Sequence, residues 1–211
     1  MSEVIVIHDG YSKMCGVNQM SANCSCTIIK GEHNIIVDTM TAWDSDQIIK
    51  GLMKNGITPD MISYVISTHG HSDHIGNNNL FTKAKHIVGF SISHEDQYFL
   101  HPFDKGEEYT INSSVRVIPT PGHTLTDVSV LVKTINNENV AIAGDLFEKL
   151  EDIEDPRIWQ EAGSEDSIMQ KKHRSYVATI ANWIVPGHGP MFHVDDNIRK
   201  LLDEQIMNES I

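Results

Sequence analysis

Three histidines and an aspartate fall within six residues in the run His69-Gly70-His71-Ser72-Asp73-His74. Neutral imidazole and carboxylate are the ligands of zinc and related transition metals, so this density reads as half of a metal site. Three more such groups each follow an apolar run at a Gly-containing turn: His123 in TPGH, Asp145 in AGD and His188 in VPGHG. Five histidines and two aspartates exceed what one tetrahedral ion takes. They suit two ions that share one carboxylate. No thiolate stands among them, which argues against a closed structural zinc site and for a catalytic pair with positions open to water. The other histidines are isolated and read as ordinary solvated or hydrogen-bonded side chains. Cys24 and Cys26, at strand-like alternation upstream of the cluster, read as reduced thiols of the core.

Groups that must converge need rigid strand ends to carry them. Val4–Gly10 reads as a strand, and CTIIKGEHNIIVDT as a hairpin turning at Lys30-Gly31-Glu32. SDQIIKGLMKNG reads as a helix with Ile48, Ile49, Leu52 and Met53 as its apolar stripe, Asp44 or Ser45 as its cap and Gly56 as its end. Thr58-Pro59 opens a short helical turn before a buried strand over Tyr64–Ser67, which ends where the histidine run begins. KHIVGF and SVRVIPT read as strands, and DVSVLVKTINNENVAIAGD as a hairpin around Asn136–Asn139. Ser164 to Ala181 reads as a helix burying Ile168, Tyr176, Val177 and Ile180. WIVPGHGP is a strand ending in a Gly/Pro loop, and VDDNIRKLLDEQIM a last amphipathic helix. Hairpins interrupted by single helices predict two sheets with helices outside. No repeat or linker divides the 211 residues, so residues 1–211 are expected to form one domain.

The formal net charge of -13 argues against a broad basic surface for nucleic acid. No apolar run approaches the roughly 20 residues of a spanning helix, and the start lacks the pattern of a signal peptide. Three cysteines fit a reducing, intracellular setting: cytoplasmic, with the nucleus as a second place.

The THGHSDH run, with PTPGH, AGD and VPGHG following in order, resembles the metallo-β-lactamase superfamily over essentially the whole chain. The resemblance implies an α+β fold, a four-layer αββα sandwich with two ions at one edge of the sheets. It implies that His69, His71 and His123 hold the first ion, that Asp73, His74 and His188 hold the second, and that Asp145 bridges. Asp38, ending IIVD, matches an aspartate that orients the metal loop. Zinc is the first expectation for the ions, with iron or manganese as alternatives.

Two ions roughly 3.5–4 Å apart would activate a water, and Asp73 would orient it as the catalytic carboxylate toward phosphorus or a carbonyl carbon. DGYS, AGDLFE and WQEAGSED resemble a narrower group of the superfamily. That likeness implies a homodimeric endoribonuclease acting on histone pre-mRNA 3′ ends, with single-stranded RNA as partner and no membrane. Lys149, Arg157 and Trp159 are candidates for the cationic or stacking groove that RNA would need. The alternatives are a thioesterase of the glyoxalase II type acting on a small anionic thioester, and a non-enzymatic metal-dependent binding module. Little more than one helix follows VPGHG, whereas glyoxalase II carries a helical domain there that grips glutathione.

Overall fold

The β-branched runs do form strands, and the turns between them set their order. A computed structural model describes residues 2–207 of the chain. The first half contributes β1 (Glu3–His8), β2 (Tyr11–Gly16), β3 (Gln19–Asn23), β4 (Cys26–Lys30), β5 (Asn34–Val37), α1 (Ser45–Lys54), β6 (Ile62–Ser67), α2 (Ser72–Ile75), β7 (Lys85–Val88), β8 (Ser91–His94) and β9 (Gln97–Phe99). The second half contributes β10 (Tyr109–Asn112), β11 (Val115–Pro119), β12 (Val128–Lys133), β13 (Asn139–Gly144), α3 (Arg157–Glu161), α4 (Ser167–Ile180), β14 (Trp183–Pro186), β15 (Phe192–His193) and α5 (Asp196–Met207).

One sheet has the order β1-β4-β5-β6-β7-β8-β9 and the other β10-β11-β12-β13-β14-β15, while β2 and β3 form a separate hairpin. Period-2 alternation sends the strands' side chains to two faces. Ile29, Ile35, Val37 and Ile66 of the first sheet pack against Val117, Val130, Val132 and Ile142 of the second, giving the inner core. On the outer face of the first sheet, Ile28, Ile36 and Val65 meet Ile48 and Leu52 of α1. On the outer face of the second, Leu131, Ala141 and Ile184 meet Val177 and Ala178 of α4 and Ile198 and Leu202 of α5. These are the four layers of the expected αββα sandwich. Among the described residues no helix is long and apolar enough to cross a membrane.

Strand direction then places the chemistry. β5 runs parallel to β6, and β13 to β14, while β11 shares the direction of β13 through the antiparallel β12. Asp38, the histidine run, His123, Asp145 and His188 therefore all leave the carboxyl ends of their strands, where ligand sites of open α/β sheets also collect. The crossing is close: Gly144 has φ +53, and a Cβ there would strike the Thr68 hydroxyl of the other sheet.

Three details differ from the sequence expectation. Asp44 begins α1 without a side-chain cap; its carboxylate instead accepts from the Thr41 N–H and the Asn23 amide at 3.1 and 3.0 Å. Met53 of the α1 stripe is exposed. On α4, Ile168 and Tyr176 face solvent, whereas Gln170 and Arg174 are fully buried. The reason is polar. Arg174 donates to the Leu146 carbonyl at 2.8 Å and to both oxygens of buried Asp152 at 2.6 and 3.0 Å, and lies 4.3 Å over the Phe147 ring. Gln170 donates to the Asp145 carbonyl at 3.0 Å. The inner face of α4 thus grips the loop that carries Asp145.

Removing one partner of a fully buried ion pair strands the other charge. Asp152→Ala is expected to lower unfolding stability by about 3–5 kcal/mol in denaturant titrations. Asp60→Ala, which breaks an exposed pair with Lys83, is expected to change it by less than about 1 kcal/mol.

Candidate metal centre

All seven expected donor groups come together at this sheet edge. His69 Nε2 and His71 Nδ1 are 2.8 Å apart, and His123 Nε2 is 3.1 Å from the same His71 nitrogen. Asp145 Oδ2 lies 3.4 Å from His123 Nε2, 3.8 Å from His69 Nε2 and 3.3 Å from His188 Nε2. Its Oδ1 lies 3.2 Å from His74 Nε2. Asp73 Oδ2 completes the far side, 4.0 Å from His74 Nε2 and 3.8 Å from His188 Nε2. The donors divide into two neighbouring groups: His69, His71, His123 and Asp145 in one, and Asp73, His74 and His188 in the other. Asp145 stands between them.

The second ring nitrogens fix which nitrogen faces inward. His188 Nδ1 donates to the Asn23 carbonyl at 3.0 Å and lies 3.2 Å from that of Tyr11, which leaves the Nε2 lone pair for the site. His74 Nδ1 is 2.9 Å from Asp38 Oδ2. Asp38 in turn accepts from the Thr68 N–H at 2.8 Å and the Thr68 hydroxyl at 3.0 Å. Asp38 holds φ +57, a conformation uncommon for a side-chain-bearing residue and tolerated best by Asn and Asp. The strain sits where β5 must turn its carboxylate beneath the histidine run.

Divalent cations fit this donor set. Three imidazole nitrogens crowd within hydrogen-bonding distance, and both contacts converge on His71 Nδ1, whose one lone pair or one proton serves a single partner well. His74 Nε2 and Asp145 Oδ1 are buried and have no hydrogen-bond partner among the described residues. Each such group costs roughly 1–3 kcal/mol, a penalty that a shared cation removes.

The electrostatics point the same way. Burial alone would raise the Asp145 carboxyl, but the His74 and His188 charges outweigh it and hold it well below the usual range. Burial would likewise depress His188, yet Asp145 lifts it to about 9. His74 is raised well above its usual value against burial, by Asp145 and Asp38. His69 and His123 are lowered, chiefly by burial.

A cleft of about 350 Å³ opens over the donors at exposed His71 and half-buried Asp73, with Ser12 and Met20 of the β2–β3 hairpin on one wall. Glu148 lines it as well, only 2% exposed; burial and then the Asp145 charge push its carboxyl up to about 8. Glu148 falls three residues after Asp145 in AGDLFE, and nothing in its spacing marks a role. The groove expected from Lys149, Arg157 and Trp159 does not form. Trp159 is fully buried beside Arg174, exposed Arg157 pairs with Asp155 at 2.7 Å, and Lys149 reaches the Ser12 carbonyl at 3.5 Å. No Lys or Arg lines the cleft among the described residues.

The pKa shifts give two expectations. His188, lifted to about 9, and His74, raised well above its usual value, both hold a proton more firmly than a free imidazole and must release it to bind an ion. Metal affinity is therefore expected to rise from pH 7 to 9, with proton release seen by calorimetry in buffers of different ionisation enthalpy. The stability of metal-free protein follows the opposite sign. His188's raised pKa stabilises the fold below 6.5, and this is lost as pH rises through about 9. Glu148 at about 8, and buried Asp127 at about 7, add a cost that grows over the same rise. The metal-free melting temperature is expected to fall from pH 6 to 9.

Comparison with known proteins extends the picture. The family model for the metallo-beta-lactamase superfamily matches residues 22–194. The chain is 39% identical to metallo-beta-lactamase domain-containing protein 1 of Xenopus laevis, over 90% of this chain and 81% of the frog protein. It is 39% identical to the Homo sapiens protein of that name over 76% of this chain, and spans only 59% of the human protein. A solved metallo-beta-lactamase-type structure from Thermotoga maritima superposes with a TM-score of 0.69 at 23% identity. The match covers 91% of this chain and 99% of that one.

Proposed function

The chain belongs to the metallo-β-lactamase superfamily of metal-dependent hydrolases, and from that premise we propose that it hydrolyses a compact carboxylic ester, thioester or lactone. The observation that carries this reading is the cleft wall: about 350 Å³, with Glu148 and Asp73 on it and no Lys or Arg among the described residues. A polyanion is held by Lys and Arg placed along its phosphates. Two dications, two aspartates and one hydroxide would leave about +1, and an ionised Glu148 would bring that to about zero.

When bound, divalent ions supply an activated water at neutral pH and polarise the scissile group. The protein does the rest. His69, His71 and His123 hold one ion, Asp73, His74 and His188 hold the other, and the two Asp145 oxygens face both groups. The Asp73 carboxylate, 19% exposed at the mouth, accepts a hydrogen bond from the attacking water and aims it. Asp38 keeps His74 in the tautomer that presents Nε2. The β2–β3 hairpin contributes Ser12, Met20 and Ala22 to the cleft wall, the last two an apolar edge against which an acyl group would pack.

Endonucleolytic cleavage of single-stranded RNA is the competing activity and belongs in the same assay. Metal-loaded protein is expected to turn over small thioesters and lactones well above single-stranded RNA or a model phosphodiester. His71→Ala is expected to lose at least about 100-fold in kcat/KM, more than the 10–100-fold typical of a group that only supports a ligand. RNA cleavage exceeding ester hydrolysis, and abolished by the same substitution, would replace this reading with the nuclease one.

A further inference from the structure

We propose that Glu148 is an additional metal ligand, whose carboxylate joins Asp73, His74, His188 and Asp145 at the second position and makes it the oxygen-rich one of the pair. The proposal rests on the two-ion reading above but not on the choice of substrate.

Donor atoms of Glu148, Asp145 and His188 all lie within 4.8 Å of one another. The Glu148 side chain is nine-tenths buried, and among the described residues no Lys or Arg pairs with it. Among the described residues the one hydrogen bond to its carboxylate is a long one, 3.4 Å from the Ser12 hydroxyl. A buried carboxylate in that condition is costly unless a positive charge is supplied. Beside it, the Asp145 side chain is 5% exposed, and its Oδ1 has no hydrogen-bond partner among the described residues.

His188 decides which ion Glu148 serves. Its Nδ1 proton is committed to a main-chain carbonyl, so the ring has a single lone pair, at Nε2. One lone pair binds one ion. A carboxylate grouped with that nitrogen shares its ion and does not define a third site.

The backbone around Glu148 is set for the task. Its N–H donates to Asp152 at 2.7 Å, and Asp152 is itself held by Arg174. Its carbonyl accepts from the His188 N–H at 2.8 Å, tying the two candidate ligands together through the main chain.

The two positions then differ in chemistry. The first has three imidazoles and one carboxylate, and the second two imidazoles and three carboxylates. Imidazole suits zinc, while carboxylate-rich sets suit manganese and other hard ions. The second position is expected to discriminate less against manganese than the first, with Glu148 as the cause.

The test uses the metal-free 211-residue chain loaded with zinc or Mn(II), read by chelator competition and by the Mn(II) paramagnetic resonance signal. Wild type is expected to bind two ions. Glu148→Gln is expected to keep first-position zinc affinity and to lose at least about 10-fold in Mn(II) affinity at the second. Equal Mn(II) binding by wild type and Glu148→Gln overturns the proposal and leaves the two-ion centre standing. A wild type that binds no ion overturns both. Should Gln at 148 also abolish first-position zinc binding, a sign of a disturbed fold, the comparison passes to Glu148→Asp. That variant keeps the charge and withdraws it by one methylene, so a lowered Mn(II) affinity supports the proposal and an unchanged one overturns it.

Discussion

Four imidazoles crowd a single buried carboxylate, and the rest of the molecule is arranged to keep that crowd in place. Asp145 has His74 on one oxygen and His69, His123 and His188 around the other, at 3.2–3.8 Å. It is the first residue after β13, where the chain leaves the sheet, and Gln170 of α4 holds its carbonyl. Gly187 follows from this: a Cβ there would fall on Asp145 Oδ1. The second sheet must approach the first closely enough for Thr68 to touch Gly144, because the two halves of the donor set come from different sheets.

Much of this was legible in the sequence, and the reason is local. His69 to His74 lie on one turn and one short helix, so their convergence needs no tertiary knowledge. His123, Asp145 and His188 each announce themselves by a glycine beside a donor at a strand end. The strands that carry the donors were legible because β-branched runs of four to six residues leave few alternatives, whereas the short β8, β9, β10 and β15 offer no such run. What escaped was set by partners far along the chain. Hydrophobicity alone assigned Ile168 and Tyr176 of α4 to the core, but the buried positions went to Gln170 and Arg174, whose value depends on a carbonyl and a carboxylate more than twenty residues away. Trp159 looked available for stacking and is instead packed beneath Arg174. The β2–β3 hairpin has no clean alternation, since most of it faces solvent.

The acidic net charge also takes on a more specific meaning. Spread over the surface it says only that long polyanions are disfavoured. In the cleft, Asp73, Asp145 and Glu148 stand together without a lysine or arginine among the described residues, so positive charge there comes from imidazolium or from bound ions. The chemistry of the wall is then carried by what those ions leave uncompensated, and Glu148 sets that remainder.

His188 bonds to the carbonyls of Tyr11 and Asn23, the first residue of β2 and the last of β3. The hairpin is therefore anchored to the site only at its base, while its tip, with Met14 and the almost fully exposed Val17, is free of the ring's demands. Insertions, deletions and recolouring of the tip can accumulate without disturbing the imidazole below. The scaffold separates a hairpin base that the His188 ring holds in place from a tip that the ring does not constrain, so the cleft wall and the donor set answer to different demands.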